Sequence, residues 1–218
     1  MKPKAVIFDL DGTLLNTLND LADSCNRQLE KRGLPEHPVD AYGYFVGNGA
    51  RHLVQQVLPQ DSQNQTAIDN FLEAFRADYR QNCFNKTAPY PGVMKLLANL
   101  KAAEVPLGVL SNKPDAETCK IVNHYFPKGT FTIVRGQIDG IPHKPDPAGV
   151  YPVLEELKAE PPQTAFVGDT MVDMKTAVTS GCVPIGVLWG FRDRAELKEN
   201  GAQIICENVE ALVLALGL

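Results

Sequence analysis

Asp9 and Asp11 stand two residues apart at the end of an apolar run, AVIF, that begins at Ala5. Side chains of a strand alternate with period two, so both carboxylates emerge on one side, from a segment apolar enough to be covered on both faces. Two like charges in one place require a cation or a shared proton. A hard oxygen-binding ion such as Mg²⁺ meets that need, and one carboxylate could then attack phosphorus while the other handles a proton.

Polar residues follow two later apolar runs in the same way. PLGVL leads into Ser111, Asn112 and Lys113, and TAFVG leads into Asp169 with Asp173 four positions on. Lys144 lies in a separate loop, His143-Lys144-Pro145-Asp146-Pro147. A hydroxyl and an amide nitrogen can hold phosphate oxygens, a lysine can balance phosphate and carboxylate charge, and further aspartates can complete a metal site. The combination points to phosphoryl transfer. Ser111 could also be only a helix N-cap, Asp169 a cap of the helix that follows it, and Asp173 a solvated acid in the first turn. Lys113 is expected to be an exposed neighbour of Ser111 and Asn112, and His143 an ordinary loop residue. Gly12 and Gly168 are expected to serve backbone geometry.

Such chemistry needs strand ends brought together. Leu18, Leu21, Ala22, Cys25 and Leu29 predict an amphipathic helix over 18–32, stopped by Gly33 with Pro35 beyond. Two more helical stretches follow, 49–58 and 66–83, the second with Ile68, Phe71, Leu72, Phe75 and Tyr79 on one stripe, so residues 17–85 read as all helical. The Pro/Gly signal APYPG ends this region. Short apolar runs at 106–110, 131–134, 164–167, 183–188 and 204–205 then alternate with helical patterns beginning near Pro91, Asp115, Pro147, Met171 and Asp193, and with a last one over 209–216. That alternation predicts an α/β fold, a parallel sheet flanked by helices, whose ligands bind outside the carboxyl ends of the strands.

The bulk properties exclude several classes. With 218 residues, 44% hydrophobic and 22% charged, the chain can bury a sizeable core, and a net charge of -5 offers no general attraction for nucleic acid. The five cysteines are odd in number, scattered and without CxxC spacing, which indicates neither a disulfide framework nor a zinc site. Without a signal peptide or a run of membrane-spanning length, the expected location is the cytoplasm.

Four ordered motifs, FDLDGT, VLSNK, the lysine of HKPDP, and VGDTMVD, resemble those of the haloacid dehalogenase-like hydrolases, a superfamily dominated by phosphatases. VGNGARHLV after the DGTL segment, YPGV, SNKP and WGF are further similar to the phosphoglycolate phosphatase group. The resemblance implies a Rossmann-like core at residues 1–16 and 87–218 and an inserted all-helical cap at 17–86. It makes Asp9 the nucleophile that forms an aspartyl-phosphate, and Asp11 the group that protonates the leaving oxygen and then activates water. Mg²⁺ would be held by the Asp9 carboxylate, the Asp11 main-chain carbonyl and Asp169, supported by Asp173. Ser111 and Asn112 would hold phosphate, and Lys144 would stabilise nucleophile and intermediate. In the cap segment, Arg51 could pair with a substrate carboxylate such as that of phosphoglycolate. Asn16 and Thr17 depart from the acidic residue and serine that often follow DGTL in this group. The implied partner is a small phosphorylated metabolite, with no nucleic acid or membrane, and the implied assembly a monomer or homodimer. A pyrophosphatase, a β-phosphoglucomutase-like enzyme and a noncatalytic phosphate-binding protein are the alternatives.

Overall fold

The computed structural model describes residues 2–218. They form two compact units, one from residues 2–15 and 89–218, the other Asn16–Ala88. The first unit is built on six parallel strands, β1 (Ala5–Phe8), β4 (Leu107–Pro114), β5 (Ile133–Gln137), β6 (Thr164–Gly168), β7 (Val183–Val187) and β8 (Ile204–Cys206), in the order β5-β4-β1-β6-β7-β8. Two short strands, β2 (Leu15–Asn16) and β3 (Ala88–Pro89), mark where the chain leaves this unit and returns. All four residues of β1 are fully buried, because a strand between parallel neighbours is covered on both faces and must be apolar throughout. The strand runs AVIF, LGVL and TAFV therefore converge, and their carboxyl ends lie side by side.

Helices follow the strands: α5 (Val93–Ala102), α6 (Asp115–Tyr125), α7 (Val150–Leu157), α8 (Met171–Ser180), α9 (Arg194–Glu199) and α10 (Val209–Leu216). One core cluster joins Ala5, Ile7, Leu110 and Phe166 of the sheet to Val150, Val153, Leu154 and Leu157 of α7 and Ala177 of α8. Two strands differ from the sequence reading. β5 begins at Ile133 rather than 131, since pairing starts with Ile133 opposite Gly108, and the polar Arg135 and Gln137 are carried in the ladder. β4 runs on through Pro114, so Ser111, Asn112 and Lys113 belong to the strand, within a stretch where its register against β5 shifts.

The second unit holds α1 (Leu18–Glu30), α2 (Val39–Phe45), α3 (Ala50–Val57) and α4 (Gln65–Asn82). The stripe Ile68, Phe71, Leu72, Phe75 and Tyr79 of α4 is buried as its periodicity requires. Helix α2 is an addition, for seven residues are too few to display periodicity. Helix α1 also buries Asp20, Ser24 and Gln28, polar residues in an otherwise apolar face. Gln28 and Arg27 both donate to Asp78 of α4. Asp20 accepts from the main-chain nitrogens of Lys86 (2.9 Å) and Thr87 (2.8 Å) and from the Thr87 hydroxyl at 2.7 Å, tying the last residues of the unit to its first helix. Among the described residues, no helix is long and apolar enough to cross a membrane. The five cysteines carry free thiols, four of them buried.

Charge-assisted hydrogen bonds contribute about 1.5–3 kcal/mol, and leaving buried donors unpaired costs more. Asp20→Ala should therefore lower stability by about 3 kcal/mol and Thr87→Val by about 1 kcal/mol, read from urea unfolding followed by circular dichroism. Equal midpoints for wild type and Asp20→Ala would contradict this account of the buried carboxylate.

Candidate active site

Three neighbouring strand ends and one loop supply the site, all within the sheet-bearing unit. β1 is followed by Asp9 and the turn through Thr13, β4 carries Ser111, Asn112 and Lys113, and β6 runs into Asp169. Lys144 is buried, and its Nζ donates to Asp9 Oδ1 at 2.8 Å, Asp173 Oδ1 at 2.7 Å and the Leu110 carbonyl at 3.0 Å. Carboxylate oxygens of Asp9, Asp169 and Asp173 all lie within 4.8 Å of one another. The sequence's scattered candidates Asp9, Lys144, Asp169 and Asp173 are thus one cluster.

Each carboxylate is held by the local fold. Asp169 Oδ1 accepts from the Thr13 hydroxyl (2.9 Å) and Oδ2 from the Phe191 main-chain nitrogen (2.9 Å), while the Trp189 indole donates to the Thr13 carbonyl (3.0 Å). Asp169 is not the N-cap of α8. Thr170 is, and Asp173, three residues into the capping box, accepts from the Thr170 main-chain nitrogen (3.1 Å) and hydroxyl (2.8 Å) through Oδ2. Asp173 is accordingly buried rather than a solvated first-turn acid. Backbone room is equally specific. Gly12 has φ of +88°, and a Cβ there would lie 2.2 Å from Asp169 Oδ2; one on Gly190 would lie 2.3 Å from Asp169 Cβ.

Two residues of VLSNK make contacts that the sequence reading did not anticipate. Asn112 turns its amide to the main chain of Lys144, donating to its carbonyl (3.0 Å) and accepting from its nitrogen (2.9 Å), so the side chain seats the lysine loop. Lys113 is not an exposed neighbour: it is 8% exposed, with Nζ 3.1 Å from Asp11 Oδ2. The available signal was its place beside Ser111 and Asn112 directly after a buried apolar run. Ser111 is buried, and its Oγ accepts from the Lys113 main-chain nitrogen at 3.2 Å. It caps no helix, since α6 begins only after Pro114. Arg51 belongs to the other unit, on α3, where it pairs with Asp69 of α4, both side chains about half exposed.

The electrostatics call for a cation. With all ionised, four carboxylates, Asp9, Asp11, Asp169 and Asp173, face two ammonium groups, Lys113 and Lys144, an excess of two negative charges that a cation or protons must offset. Burial, then Asp173 and Asp11, raise the Asp9 carboxyl to about 7 against the opposing pull of Lys144. Asp169 is raised well above the carboxylate range by burial and then by Asp173 and Asp9. Burial also opposes the charge on Lys144, yet Asp173 and Asp9 outweigh it and hold the lysine above its ordinary value. An all-oxygen donor set with this charge excess fits a hard divalent ion. Asp11 Oδ1, moreover, is buried with no hydrogen-bond partner among the described residues.

Known proteins share the arrangement of the chain. The model of the haloacid dehalogenase-like hydrolase family matches residues 6–187. The chain is 32% identical over 220 residues to a phosphoglycolate phosphatase of Psychrobacter arcticus, covering 98% of this chain and 95% of that protein. It is 30% identical over 219 residues to one of Haemophilus influenzae, covering 98% of each. A crystal structure from Lactobacillus delbrueckii subsp. bulgaricus, provisionally assigned as a phosphoglycolate phosphatase, superposes with a TM-score of 0.92 at 32% identity over 99% of both chains. With its parallel sheet, its acidic cluster at the strand ends and this similarity along almost its whole length, the chain belongs to the haloacid dehalogenase-like hydrolases, in their phosphoglycolate phosphatase-like group.

Proposed function

We propose that the chain is a Mg²⁺-dependent phosphatase that hydrolyses 2-phosphoglycolate to glycolate and phosphate through an aspartyl-phosphate on Asp9. The observation that carries this reading is Lys144 bridging Asp9 and Asp173 beside a third carboxylate, Asp169. A carboxylate can attack a phosphate dianion only where cations overcome their repulsion. Lys144 is one such cation, and Asp9, Asp169, Asp173 and the Asp11 main-chain carbonyl would hold the other. Bound there, Mg²⁺ would polarise the phosphoryl group and neutralise its charge.

In this reading the Asp9–phosphorus bond forms as the ester bond breaks, and Asp11 gives its proton to the departing oxygen. Water then attacks phosphorus, Asp11 takes a proton from it, and the bond to Asp9 breaks, so one water is consumed per ester. The Ser111 hydroxyl donates to a phosphate oxygen. Asn112 serves phosphate indirectly, by seating Lys144. The helical unit acts as a cap, in which Arg51 exchanges Asp69 for the glycolate carboxylate. The supports are the named relatives, the charge excess at the strand ends and the unpartnered Asp11 Oδ1.

Phosphate release from phosphoglycolate, pyrophosphate, sugar phosphates and nucleotides, with Mg²⁺ and with chelator, tests the proposal. Phosphoglycolate should be preferred, and Asp9→Asn should lose essentially all turnover while keeping the fold. Turnover in that variant would remove Asp9 as nucleophile; preference for another ester would remove phosphoglycolate and the carboxylate role of Arg51. Arg51→Met should raise KM for phosphoglycolate about tenfold, the equivalent of about 1.4 kcal/mol, and leave KM for p-nitrophenyl phosphate unchanged.

Metal binding has a reporter independent of activity. Trp189 is the one tryptophan of the chain, and through Thr13 it is bonded to Asp169. Titration with Mg²⁺ should change its fluorescence and raise Tm, by about 2.7 kcal/mol of stabilisation at a hundredfold excess over Kd. Asp169→Asn should abolish both responses; an unaltered response in that variant would place the ion elsewhere.

A further inference from the structure

Lys113 has no part in the chemistry described so far, although it is as deeply enclosed as the residues that do. A lysine is seldom buried unless it is paired, because desolvating its charge is costly. Here the pairing is with Asp11, whose two oxygens are treated unequally. Oδ2 lies 3.1 Å from Lys113 Nζ, with both side chains largely buried, whereas Oδ1 is buried and has no hydrogen-bond partner among the described residues. The neighbouring backbone fixes the lysine: its main-chain nitrogen donates to Ser111 Oγ, and its carbonyl accepts from the Thr118 hydroxyl at 3.1 Å. Gly136 of β5 is required beside it, since a Cβ there would come within 2.5 Å of the Lys113 carbonyl.

We infer that Lys113 is a positioning residue for Asp11: by holding Oδ2 it keeps Oδ1 as the one atom that delivers a proton to the departing oxygen and takes one from the attacking water. This rests on the reading of Asp11 as acid and base. An unheld carboxylate could rotate and present either oxygen to either task, and a general acid works only within hydrogen-bond reach of the atom it protonates. The arrangement also ties three functions of β4 together. The same three residues carry the hydroxyl for phosphate, the amide that seats Lys144 and the ammonium that orients Asp11.

Leaving groups separate this role from a merely structural one. A p-nitrophenolate departs without a proton, while glycolate needs one. In Lys113→Met, single-turnover transfer from phosphoglycolate should fall about 100-fold, while the burst of p-nitrophenol from p-nitrophenyl phosphate stays within about threefold of wild type. Lys113→Arg, which keeps a cation at Asp11, should recover about tenfold of the loss. It also keeps the test open should the methionine variant fail to fold. An equal fall for both esters, no fall for either, or a change confined to KM for phosphoglycolate would each overturn the inference; the last would make Lys113 a contact for the carboxylate instead. Asp11→Asn serves as the control. It should show the same split, and if it transfers phosphate from phosphoglycolate at the wild-type rate, the acid role of Asp11 fails and not only that of Lys113.

Discussion

Lys144 holds Asp9 and Asp173 at 2.8 and 2.7 Å, although burial penalises all three charges. Such an arrangement persists only when attraction and further hydrogen bonds offset desolvation. Here the offset is incomplete, because four carboxylates meet two lysines. The remaining negative charge suits a divalent cation, and in the proposed reaction that cation would let a phosphate approach Asp9.

The scaffold answers this constraint with fixed groups. The Thr13 hydroxyl and the Phe191 nitrogen each take one oxygen of Asp169, and the first turn of α8 takes one oxygen of Asp173. Glycines at 12 and 190 let two loops approach Asp169 more closely than any Cβ would permit. Because β4 and β6 flank β1, the residues ending three strands far apart in sequence arrive at one edge. The register of β4 against β5 shifts between Leu110 and Pro114, the stretch that carries Ser111, Asn112 and Lys113, and irregular pairing of this kind is common next to active sites.

The helical unit obeys a different logic. Its apolar stripes are complemented by a buried polar face on α1, where Asp20 and Gln28 are satisfied by hydrogen bonds to residues 66 and 50 positions on. The chain enters this unit a few residues after Asp11 and leaves it at Ala88, so an insertion of independent construction interrupts the sheet unit at its acidic turn.

The sequence by itself determined that strands β1, β4 and β6 would be buried and where their polar ends would fall, because a run such as AVIF before Asp9 or TAFV before Asp169 suits only a strand covered on both faces. It also determined the stripe of α4, since five apolar residues at helical spacing over eighteen residues leave one solution. The short helix α2 and the polar half of β5 carry too little pattern to be read, and it is pairing with β4 that makes β5 regular. Partners were decided only in three dimensions. That Asn112 seats Lys144, that Asp173 is both a helix cap and an ion-pair partner, and that Lys113 is buried against Asp11 depend on groups 32, 29 and 102 residues apart being packed together. A side chain's local sequence sets which face it leaves from, whereas the charge it meets there is set by the fold.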